Sequence, residues 1–150
     1  MKLNHLIIVM LIVAVAGCAK EEVSAPSAEF DIQTLDKVQN IYVNLDKPYQ
    51  LKVNQEYRVL SANSSEYNSF YMGDTVMVGK RKIYHVYSES PNSNYQGAAM
   101  PYFPELQKSY VLIKYTKANV YNATFVAVAN GNNGNDVAYN VNNSQITVTP

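Results

Sequence analysis

Tyr110-Val111-Leu112-Ile113-Lys114-Tyr115-Thr116-Lys117 is followed, after Ala118-Asn119, by Val120-Tyr121-Asn122-Ala123-Thr124-Phe125-Val126-Ala127-Val128-Ala129, and this stretch decides the fold. In its first half Val111, Ile113 and Tyr115 share one face while Leu112, Lys114 and Thr116 share the other. That period of two is what a half-buried strand produces. The second half is apolar on both faces, which predicts a strand central in a sheet. Working outward, Asn130 to Asp136 (NGNNGND) reads as a loop, and Val137 to Val141 and Gln145 to Thr149 as closing strands around Asn142-Asn143.

Toward the amino terminus the same signals recur. Val76-Met77-Val78, the turn Gly79 to Lys82, and Ile83 to Tyr87 predict a hairpin. A second predicted hairpin joins Tyr49 to Val53 with Glu56 to Ala62 through Asn54-Gln55, and Ile41 to Leu45 is a short apolar run ending at Asp46-Lys47-Pro48. Phe30 to Asn40 is ambiguous: Ile32, Leu35 and Val38 recur every three residues, which fits a short helix or the approach to a strand. About eight short strands without helical crossovers predict an all-β fold, an antiparallel β-sandwich over residues 30–150. Composition agrees. Thirteen tyrosines, abundant asparagine and no tryptophan suit strands joined by polar turns.

The 150 residues carry twelve basic and twelve acidic side chains, so there is no basic field for nucleic acid. Lys80-Arg81-Lys82, Lys114 and Lys117 fit solvated strand ends. Catalytic constellations are sparse. His85 is the one histidine beyond the leader, on the face of Ile83 and Tyr87, and no Gly-x-Ser-x-Gly elbow accompanies it. A zinc site wants three or four His, Cys or carboxylate ligands, so neither metal nor cofactor is expected. Glu89 and Glu105 bracket a loop as a carboxylate pair, but at loop edges such groups are ordinarily solvated. NGNNGND has a single charged residue, Asp136, too few for an EF-hand-type calcium loop.

The segment that suggests recognition runs from Ser88 to Glu105 (SESPNSNYQGAAMPYFPE). It is long for a loop in a compact domain, and Pro91, Pro101 and Pro104 restrain it. Tyr95, Met100, Tyr102 and Phe103 are its candidate partner-binding anchors, because constrained aromatics offer contact area at low entropic cost. Alternatively they fold back to cap one end of the sandwich. Ser64 to Gly73, with Tyr67, Phe70 and Tyr71, is a second candidate loop.

The amino terminus has Lys2, an unbroken apolar run from Leu6 to Ala16, then small residues and Cys18. At about 1.5 Å per residue that run falls well short of a hydrocarbon core of roughly 30 Å. The layout is that of a secretory signal peptide. Val15-Ala16-Gly17-Cys18 resembles the lipobox of bacterial lipoproteins. The resemblance implies cleavage between Gly17 and Cys18, a diacylglyceryl thioether on Cys18, and a further acyl chain, commonly palmitate, on its new amino group. Two or more chains anchor a protein stably where one does not. Cys18 is the sole cysteine, so it has no internal disulfide partner. Ala19, in place of the aspartate that retains such proteins at the inner membrane, implies the outer membrane if the source is Gram-negative.

The expectation is therefore a signal peptide over 1–17, a lipidated flexible tether over 18–29 (Ala19 to Glu29 being small, charged and aperiodic), and a sandwich held at a membrane. The sandwich is expected to be a non-catalytic binding module for a protein of the envelope or of secretion. Rival expectations are an inhibitor or immunity lipoprotein that blocks a toxin or hydrolase, and a glycan-binding module.

Overall fold

The computed structural model describes residues 23–65, 67–73, 75–78, 81–84, 98–131 and 136–150. Among them every regular element is a strand: β1 (Phe30–Asp36), β2 (Ile41–Asn44), β3 (Gln50–Lys52), β4 (Tyr57–Ser61), β5 (Tyr67–Tyr71), β6 (Thr75–Val78), β7 (Arg81–Tyr84), β8 (Ala98–Met100), β9 (Tyr102–Phe103), β10 (Lys108–Ile113), β11 (Asn119–Asn130) and β12 (Val137–Thr149). A first sheet of five strands has the order β2-β1-β4-β10-β9, a second β3-β12-β11-β5-β8, and β6-β7 form a separate hairpin. The two sheets pack as a β-sandwich, the expected class.

Alternation explains the packing. Phe30 and Ile32 of β1, Tyr57 and Val59 of β4, and Ile113 of β10 point inward from the first sheet. Leu51, Phe70, Tyr121, Ala123, Phe125, Ala127, Ile146 and Val148 answer from the second. Fully burying one such large side chain stabilises the fold by about 1.5–3 kcal/mol. β11 is central, flanked by β12 and β5, and is buried on both faces at Thr124 to Ala127, as its two-sided hydrophobicity predicted. Tyrosines fill the interior because their hydroxyls reach backbone carbonyls: Tyr49 to Phe30 at 3.0 Å, Tyr115 to Met72 at 2.9 Å, Tyr121 to Lys117 at 2.8 Å. At one end the interior is polar. The Asn68 amide donates to the Ser109 hydroxyl at 3.0 Å, and the Ser109 N–H donates to the Ser61 hydroxyl at 2.9 Å, tying β5 to β10 and β4.

One open reading is resolved and four local expectations are corrected. Phe30 to Asp36, ambiguous in sequence, is a strand, because β2 and β4 pair with it on both sides. β3 and β4 are strands but not a hairpin: Asn54, at φ 59°, carries the chain from one sheet to the other. Its N–H donates to the Tyr115 carbonyl, and β3 pairs in parallel with β12, the one departure from antiparallel order among the described residues. Asn142-Asn143 is not a turn. β12 runs unbroken from Val137 to Thr149, held in register by β11, with the Thr124 hydroxyl donating to Asn143 Oδ1 at 2.7 Å. Tyr67 to Tyr71 is a sheet strand and not a loop. The carboxyl end of the long predicted loop contains β8 and β9, which extend an edge of each sheet.

At the amino-terminal side packing begins just before β1. Ala28 is part of the core, and the Glu29 carbonyl accepts from the Ala62 N–H. Gly73, at φ 73°, is required: a Cβ there would lie 2.4 Å from the Asn122 carbonyl oxygen.

Candidate functional site

The outer face of the first sheet is built from the residues that alternate with its core positions. Asn44 on β2 lies opposite Gln33 on β1, Gln33 opposite Arg58 on β4, and Arg58 opposite Leu112 on β10. Leu35 with Tyr42, and Leu60 with Tyr110, form the neighbouring rows. Gln33 is the hinge of the arrangement. It is only 7% exposed although it sits on the solvent side, and both ends of its amide are used. Its Oε1 accepts from Arg58 Nε at 2.7 Å, and its Nε2 donates to Asn44 Oδ1 at 2.6 Å. A buried polar group needs such partners, and here the partners fix the arginine.

Rings complete the constraint. The Arg58 guanidinium lies over the Tyr42 ring, 3.8 Å from its centroid, and 5.4 Å from the centroid of Tyr110. Tyr110 in turn stacks on Phe103 of β9, with centroids 4.0 Å apart and planes 13° from parallel. Tyr42, Arg58, Tyr110 and Phe103 thus form one diagonal across the sheet, all four half-buried. Each cation–π contact contributes about 0.5–2 kcal/mol, depending on how far it is dried. Among the described residues Arg58 forms no ion pair, and Gln33 is the sole acceptor for its donors. Leu35, Leu60 and Leu112 surround the diagonal, with Leu112 45% exposed. Beyond Tyr42 the face runs into a hollow of about 580 Å³ lined by Leu35, Lys37, Lys52, Gln55 and Glu56 among others. A wider, shallower groove of about 740 Å³ opens at the polar end, between Ser27, Asn63, Tyr67, Leu106, Lys108 and Val128.

Comparison with known protein families, curated proteins and solved structures finds no match.

The anticipated anchors separate. Tyr95 lies outside the described residues. Met100 is corrected: it is 3% exposed and belongs to the core, because β8 pairs it with the inward Asn68. Tyr102 pairs with the buried Ser109 and so stands on the inner side of the edge strand, half-buried. Of the three that are described, Phe103 alone joins the outer diagonal. Glu105 is exposed on the turn after β9, whereas Gly17, Cys18, His85 and Glu89 lie outside the described residues. Among the described residues no group of three His, Cys, Asp or Glu could hold a metal, and no helix is long and apolar enough to cross a membrane. Arg58, Gln33 and Tyr42 were not singled out in the sequence. For Gln33 and Arg58 the one signal is the alternation of β1 and β4, which places them on the solvent side, and Tyr42 on β2 has none.

Proposed function

We propose that this chain is a lipid-anchored cell-envelope protein whose β-sandwich acts as a non-catalytic binding module, engaging a partner through the outer face of the first sheet. The observation that carries the reading is the fixed diagonal of Tyr42, Arg58, Tyr110 and Phe103 beside exposed leucines. Aromatic and arginine side chains held in one geometry lose little entropy on binding, which is why they dominate interfaces. The membrane half of the proposal rests on Val15-Ala16-Gly17-Cys18 and its apolar leader. Hydrogen bonding, stacking and apolar contact are what this face offers, and all three serve recognition.

Two measurements test it. Labelling with a radioactive fatty acid is expected to mark the wild type and not Cys18→Ser, with Cys18→Ser released from the membrane fraction. A photo-crosslinker replacing Leu112 is expected to capture one envelope protein in native membranes, and one replacing Val120, on the second sheet, to capture none. Capture from both positions alike, or from neither, removes the proposed interface.

A further inference from the structure

The outer face holds a cation that is oriented and unspent. Arg58 is clamped by Gln33 through Nε and by the Tyr42 ring, yet the donors on its Nη nitrogens have no acceptor among the described residues. A planar guanidinium so restrained is pre-organised for a two-point grip on a carboxylate, and little rotamer freedom remains to be lost. Charge along the Tyr42 side points the same way. Lys37 and Lys52 are exposed on the lining of the adjoining hollow, which Glu56 and Pro150, the last residue, line as well. On the opposite side Asp31 shares the outer face two residues from Gln33, so an anion meets repulsion there. Leu112, directly across from Arg58 on β10, and Leu60 beside it offer aliphatic contact.

We propose that the outer face of the first sheet binds an acidic, extended peptide segment of a partner protein, with Arg58 gripping a carboxylate. The leucines take an aliphatic neighbour of that carboxylate, and the lysines of the hollow take a second acidic residue. This rests on the binding-module reading and names its ligand class. Gln33 is a positioning residue: it touches Arg58 and not the ligand.

The test uses the full chain in detergent and a capped peptide, Leu-Glu-Leu-Glu-Leu, against its Leu-Gln-Leu-Gln-Leu counterpart. The acidic peptide is expected to bind about ten-fold tighter or more, the usual worth of a charge-assisted hydrogen-bond pair. Its affinity is expected to fall with salt, and the Arg58 Nε–H nuclear magnetic resonance signal to shift only with that peptide. Arg58→Lys keeps the charge and loses the fork, so it is expected to weaken the acidic peptide about ten-fold while thermal unfolding stays that of the folded protein. Lys37→Gln/Lys52→Gln is expected to give a smaller loss. Equal affinity for the two peptides, indifference to Arg58→Lys, no binding at millimolar peptide, or tighter binding of a uronic-acid oligosaccharide would each overturn the proposal. The Leu112 crosslinker separates the two readings. A partner captured as well by Arg58→Lys as by wild type leaves the binding module standing and removes the acidic segment.

Discussion

Two aromatic clusters lie on opposite sides of the first sheet, one within the sandwich and one facing out. On the inner side the Phe30 ring touches Tyr49, Phe70 and Phe125, with centroids 5.9, 5.5 and 5.5 Å away, all four buried. On the outer side Tyr42, Arg58, Tyr110 and Phe103 form a line of half-exposed planes. The rings come from different strands, but β1 and β4 face both ways. β1 turns Phe30 inward and Gln33 outward, while β4 turns Val59 inward and Arg58 outward. Inside, apolar area removed from water supplies the stability and any ring of the right volume serves. Outside, where water competes, hydrogen bonds through Gln33 fix geometry. A one-residue step along a strand thus separates what holds the fold from what can meet a partner.

The comparison is tested hardest on the inner side. Phe30→Ala removes the ring on which the other three converge, and a loss of about 3–5 kcal/mol is expected in urea unfolding. A loss near 1 kcal/mol would mean that Phe30 is not the centre of the core. Tyr49 gives the next largest effect and ties it to pH. Its phenol is pushed up to about 12, first by burial, then by the Asp31 charge, with the Ile32 backbone partly opposing and Glu29 adding to the rise. The folded state therefore holds the proton after the unfolded chain, with a phenol near 10, has released it. Stability from this group is complete below about pH 10 and drains away as pH rises toward about 12. It amounts to on the order of 2 kcal/mol. Tyr49→Phe keeps the ring and removes the titration, so the stability difference between the two proteins is expected to shrink or reverse across that window. A difference that stays constant from pH 9 to 12 would leave Tyr49 outside the account.

The inner side was legible in the sequence and the outer side was not, for a physical reason. Burial imposes alternation on contiguous residues, so Val111, Ile113 and Tyr115 announced their face, and the two-sided run through β11 announced a central strand. Turn residues were less reliable. Asn54 does reverse the chain, at positive φ, but a turn former does not say which strand the chain joins next. Asn142-Asn143 has the same local preference, and the long ladder with β11 overrides it. The diagonal is assembled from β2, β4, β9 and β10, with no two members adjacent in the chain. No window of sequence contains it. Phe103 was singled out only because prolines and aromatics cluster around it, a signal that pointed equally to Met100, which is core.

On the outer side the expected effects on stability are small, and their size is the point. Phe103 and Tyr110 stack closely at a sheet edge, so a double-mutant cycle to alanine is expected to return a coupling of about 0.5–1.5 kcal/mol. Zero coupling would make the stack an accident of neighbouring strands. Arg58→Lys is expected to cost least, about 0.5–1 kcal/mol, since lysine retains the charge and can still lie over the Tyr42 ring. If it instead cost 3 kcal/mol or more, Arg58 would belong to the fold as Phe30 does, and the contrast between the two sides would collapse. A small cost is what gives the residue its meaning. Gln33 is buried, its amide oxygen holding Arg58 Nε and its amide nitrogen held by Asn44, so a low cost for Arg58→Lys would mean that the clamp orients the cation more than it supports the sandwich. That outcome would leave the proposed partner as the reason for fixing the cation, and a large cost would remove it.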